Sequence, residues 1–164
     1  MTVSARTKLP EVGDVILICE HEGFYYHGVY EYYDPDIGPY MSVWKSLTET
    51  YESPAFVFGP ILCGINPPVR SKRWRVVGTK SLERWVRPDY LAIVPGAGEH
   101  PTTWMLVRGS KCTDLGRSVP REFQDLEMAV VWSADRIEER IQTGLNVYSY
   151  RALMKHISER ESEL

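Results

Sequence analysis

Hydrophobic and polar positions alternate along most of this chain, and the period lengthens only near its end. Gly13-Asp14 opens the apolar run Val15–Cys19, and Glu22-Gly23 makes a turn into Phe24–Tyr33, which together predict a β-hairpin. A period of two places Phe24, Tyr26, Gly28, Tyr30 and Tyr32 on one face of the second strand. Tyr25, His27, Val29, Glu31 and Tyr33 take the other. Rings on both sides imply a strand buried on both faces, or one that uses a face for binding.

Asp34-Pro35-Asp36 and Gly38-Pro39 form a turn cluster, after which Tyr40–Leu47 predicts a third strand and Thr48–Pro54 an acidic connection. Ser53–Leu82 is the stretch around which the rest is arranged. It holds two strands, Phe56–Ile65 and Arg73–Gly78, rich in β-branched and aromatic residues and joined through Pro67-Pro68. Tyr90–Val94, Thr102–Val107 and Leu126–Trp132 add further strands, with Gly109–Arg121 as a loop. Helical spacing arrives last. Ser133 is placed to cap Ala134–Thr143, where Ile137 and Ile141 stack and Gly144 is the stop. A second helix runs from Ser149 to Arg160 with Tyr150, Leu153, Met154 and Ile157 on one stripe. The expected fold is α+β: mainly antiparallel β, as a curled sheet or half-open barrel, with two C-terminal helices. Residues 1–11 read as a flexible N-terminal arm and 12–164 as a single domain.

Composition narrows the function classes. A chain of 164 residues with 43% hydrophobic content can bury a core without metal or disulfide help. The net charge of −3 supplies no general attraction to nucleic acid or to an anionic membrane. Cys19, Cys63 and Cys112 are odd in number and in no zinc-type spacing, so buried reduced thiols are the reading for Cys19 and Cys63. With no signal-peptide core and no membrane-length apolar run, a cytoplasmic location is expected.

The nearest approach to a metal constellation is His21 and Glu22 with His27, because the hairpin turn brings the first pair near the second strand. His100 and His156 lie far from them in sequence. Pro95–His100 lacks the Lys-Ser/Thr ending of a phosphate loop, and Cys112 with His100 is the one nucleophile–base pairing that can be named. Arg70, Lys72, Arg73 and Arg75 around Trp74 would suit phosphates or a base, or else form the solvated flank of a strand whose tryptophan is core. Carboxylates and tyrosines interleave around the third strand: Glu31, Tyr32, Tyr33, Asp34, Asp36, Tyr40, Glu49, Tyr51 and Glu52. That mixture suits a basic protein surface, since tyrosine brings contact area at low entropic cost and an acidic rim speeds association.

The chain also resembles the immunity protein 26 family, grouped with the small HocA-type phosphotriesterases. Gly13-Asp14-Val15 opens the strand, and Tyr26, Gly28 and Val29 stand where that family has an aromatic residue, a glycine and a valine. Arg73-Trp74-Arg75-Val76-Val77-Gly78, followed by Leu82, is the clearest match, and Phe56-Val57-Phe58 fits the strand before it. The likeness covers about residues 10–85. It implies one of two functions. An immunity protein would bind a cognate toxin domain through the region Tyr32–Glu52, with no cofactor, no nucleic acid and no membrane. A phosphotriesterase would need an activated water, from a divalent metal or a general base, with cations opposite. His21, His27 and Glu22 would supply the first and Arg73 or Arg75 the second.

Overall fold

The computed structural model describes residues 8–83, 88–95 and 102–163. Residues 1–7 of the expected arm lie outside these, as do 96–100 with His100. Tertiary contacts group the chain into two compact units, one of Met1–Trp85 with Val131–Gly144, the other of Val86–Val130 with Leu145–Leu164.

The first unit is built on β1 (Asp14–His21), β2 (Phe24–Asp34), β3 (Gly38–Ser46), β4 (Ala55–Leu62) and β5 (Arg75–Thr79). They form one antiparallel sheet in the order β4-β3-β2-β1-β5. Glu22 and Gly23 both take positive φ, 52° and 80°, as a two-residue hairpin turn requires for the strands to keep their twist. The prolines after β4 start a short helix, α1 (Asn66–Arg70), where a missing N–H costs nothing. Gly59 sits at φ 120° against β3, where a Cβ would stand 2.7 Å from the Ser42 Cα. Only glycine fits there.

Residues opposite one another across strands share a face of the sheet. One row runs Val76, Ile16, Gly28, Val43 and Phe58, and the next step along gives Arg75, Leu17, His27, Trp44 and Phe56 on the opposite side. The first row belongs to the inner face. It lies with α2 (Ala134–Thr143), which packs against β1 and buries Ile137 and Ile141. Gly144 closes α2 at φ 71°, and its N–H donates to the Ile141 carbonyl. Arg140 is buried in this unit, its guanidinium carbon 3.9 Å from the Phe58 ring centre and 4.8 Å from that of Trp132.

In the second unit β6 (Tyr90–Pro95), β7 (Thr102–Arg108) and β8 (Lys111–Gly116) form a three-stranded antiparallel sheet. Its core gathers Leu91, Trp104, Leu106, Val119 and Met128, with Tyr150 and Leu153 of α3 (Tyr150–Ser162) packed against it. Ser149 caps α3 by accepting from the Ala152 N–H at 3.2 Å. The fold is therefore α+β, with the two longer helices at the end of the chain. Two elements differ from expectation. Lys111–Gly116 is a strand inside the segment expected to be a loop. Leu126–Trp132, expected as a strand, makes only isolated bridges, from Glu127 to Ser149, Met128 to Leu91 and Trp132 to Cys63.

Candidate functional site

The five-stranded sheet separates the residues weighed for hydrolysis. His21 lies opposite Phe24 on the inner face, its ring 6.5 Å from that of Tyr26 and its Nε2 3.8 Å from a Glu22 carboxylate oxygen. His27 projects from the other face and packs edge-on to Tyr51 at 5.4 Å. The arginines part in the same way. Arg75, opposite Leu17, reaches Glu49 on the outer face at 2.6 Å. Arg73 turns to α2, where it holds Glu138 through two bonds of 2.8 and 2.7 Å and Asp135 at 2.6 Å. Both carboxylates raise the Arg73 pKa through those hydrogen bonds. Among the described residues no group of three or more His, Cys, Asp or Glu is placed to hold a metal ion.

His27 is fully buried, and its hydrogen bonds explain why. Its Nε2 donates to the Glu49 carbonyl at 2.8 Å, while Nδ1 lies 3.4 Å from the Ser46 hydroxyl. That hydroxyl donates to the Thr48 carbonyl at 2.7 Å. Burial lowers the imidazole pKa against the opposing pull of the Glu49 and Tyr25 carbonyls, so the ring is neutral at physiological pH. A neutral histidine with one N–H committed to a loop carbonyl is a pin. It fastens the Thr48–Glu52 connection over the sheet.

The pinned loop and the outer face together make the site. Tyr51 stands at φ 60°, a left-handed conformation that a bulky residue adopts only when its surroundings hold it there. Its hydroxyl is buried and has no hydrogen-bond partner among the described residues, and burial followed by the Glu31 charge raises its pKa. The Trp44 N–H donates to the Ser42 hydroxyl at 2.8 Å, which in turn donates to Glu31 at 2.6 Å. Phe56 packs edge-on to Trp44 at 5.3 Å yet remains 54% exposed. A bulge between Val43 and Trp44 in the β3–β4 pairing accounts for this, because it turns Phe56 outward while Phe58 stays in the core. Lys80 arches over the patch with its ammonium 5.0 Å from the Trp44 ring centre and 5.9 Å from that of Tyr51.

Of the residues expected at an interface, Tyr33 is 54% exposed and Asp36, Glu49 and Glu52 lie at the surface. Tyr32 and Tyr51 are half-buried. Tyr40 and Asp34 belong elsewhere. Tyr40 is 2% exposed within the core, and Asp34 accepts from the Asp36 and Ile37 N–H groups at 2.9 and 3.2 Å, spending its carboxylate on the turn. Neither offers a partner any surface. In the cationic cluster Arg73 and Arg75 are likewise engaged, and Trp74 is 1% exposed and donates to Glu138 at 2.9 Å, so it stacks no base. Cys63 is buried and its thiol pushed up to about 12 by burial, Cys19 is raised to about 11, and Cys112 is exposed. Trp44, Ser42 and Lys80 were not singled out from the sequence, and Phe56 was named only as a strand residue. Pairing His27 with the third strand would have found Trp44, but no local signal marks Lys80.

Comparison with protein-family models, with curated proteins and with solved structures finds no match. Among the described residues no helix is long and apolar enough to cross a membrane.

Proposed function

We propose that this chain is an immunity-type binding protein, which neutralises a cognate bacterial toxin in the cytoplasm by covering it rather than by catalysis. One observation carries the reading: a large ring left in water on the outer sheet face, beside carboxylates. Phe56 is 54% exposed beside Trp44, and Glu49 and Glu52 of the adjoining loop lie at the surface. Exposed aromatics next to acids are the composition of a protein-binding patch, where burial on association supplies affinity and the acids speed encounter. The phosphotriesterase alternative would need His21, His27, Arg73 and Arg75 to act at one point. The sheet lies between them.

Co-expression tests the proposal. A toxin domain encoded beside this chain should kill cells alone, spare them with the wild-type chain, and co-purify with it. Protection should be lost on Phe56→Asp while the thermal midpoint is kept. Turnover of paraoxon that disappears on His27→Gln would overturn the reading.

A further inference from the structure

We propose that Trp44, Tyr51, Phe56 and Glu31 form a socket for one arginine side chain of the partner protein, and that Lys80 is an internal plug which the arginine displaces. This rests on the binding function proposed above and names what the patch recognises.

The site already holds a cation. The Lys80 ammonium lies over Trp44 and Tyr51 at the distances at which ring quadrupoles attract positive charge. It does so without an ion pair among the described residues, although the Glu31 carboxylate belongs to the same network. One Glu31 oxygen accepts from Ser42, and among the described residues the second has no hydrogen-bond partner. The Tyr51 hydroxyl, buried and without a hydrogen-bond partner among the described residues, is a further acceptor.

Lysine satisfies half of this arrangement. Its compact ammonium meets the rings and leaves both oxygens unused. A guanidinium does both, because it is planar, stacks on aromatic faces and presents several N–H donors in a rigid fork. Phe56, packed edge-on to Trp44, fixes the indole and becomes buried when the partner arrives. The charge arithmetic agrees. Replacing Lys80 by an incoming arginine conserves one positive charge over the rings while pairing a carboxylate that has no cation partner among the described residues. The released Lys80 returns to water at little cost, being an exposed side chain held, among the described residues, by cation–π attraction.

The test uses the full chain and N-acetyl-argininamide, read from the Trp44 indole N–H resonance, which Trp44→Phe assigns. The resonance should shift saturably with the arginine probe and stay unmoved with the neutral isostere N-acetyl-citrullinamide. Removing the plug by Lys80→Gln should tighten probe binding about fivefold, the worth of one exposed cation–π contact. Glu31→Gln keeps an acceptor for Ser42 and should weaken it about tenfold, the worth of a charge-assisted hydrogen bond. Equal shifts with the citrulline probe, or an affinity indifferent to Lys80→Gln, would overturn the socket. Should the titration fail while the toxin complex forms, the socket is lost and the binding function stands. A working socket on a chain that captures no toxin reverses that outcome.

Discussion

Trp74 and Trp44 are associated with opposite faces of one sheet and are furnished alike, each with an indole N–H bond, a carboxylate and a cation. Around Trp74 every group is matched. The ring is 1% exposed, its N–H meets Glu138, and Arg73 closes the carboxylate with a two-pronged bond. Around Trp44 the same parts are only half-used: the carboxylate takes a serine hydroxyl, the cation sits on the ring, and a tyrosine hydroxyl is left over. The difference teaches where to look for function. Polar groups that are buried and satisfied build the fold, whereas groups held in place but under-used await something from outside.

The contrast can be broken most sharply by deleting the two rings. Trp74→Ala should cost about 3–5 kcal/mol in denaturant unfolding, as for a large buried aromatic, and Trp44→Ala only about 1 kcal/mol, since its site is half in solvent. Equal costs would erase the distinction. Next in size is the cation of each face. Arg140→Ala should lose about 2–3 kcal/mol by removing a buried guanidinium from between Phe58 and Trp132, while Lys80→Ala should stay within about 0.5 kcal/mol.

A pH series sharpens the comparison further. The folded pKa of His27 is lowered from its ordinary value of 6.5, so protonation favours the unfolded chain. Its contribution should be complete above pH 6.5 and fade as pH falls from there towards the folded pKa. His27→Gln should remove that slope. On the inner side, burial raises the Glu138 pKa, but hydrogen bonds from Arg73 and Trp74 lower it more, to below the ordinary 4.5. Its stabilisation persists above 4.5 and is lost at lower pH, so the loss on the inner side begins at a lower pH than that from His27. Smallest of all, Phe56→Ser should move stability by no more than about 0.5 kcal/mol while weakening toxin capture.

Much of this architecture could be read from the amino acids. Alternation with a Glu-Gly turn gave the first hairpin, and helical spacing ending at glycine gave α2 with its observed bounds, Ala134–Thr143. Strand β8 escaped because Lys111-Cys112-Thr113-Asp114 is exposed on both sides and carries no apolar beat. Leu126–Trp132 misled for the converse reason, since an apolar run reports burial and not pairing. At the site, a period of two cannot reveal bulges. A strict alternation would put Phe56 and Phe58 on one face, and a bulge sends them apart. Arg73 and Arg75 read as one cluster, yet the first lies just before β5 and turns to α2 while the second is within the strand. Nor does composition distinguish a tyrosine that fills a core, as Tyr40 does, from one that faces water, as Tyr33 does.

The proposed binding function requires the outer face, and not the helix-covered one, to receive the partner. Amide hydrogen exchange on the chain with and without its neighbour-encoded toxin domain measures this directly. The account predicts slowed exchange at Thr48–Phe56 in the complex, with α2 unchanged. Protection confined to α2, or to the shallow cleft of about 510 Å³ beside it lined by Pro67, Pro68 and Trp132, would contradict it.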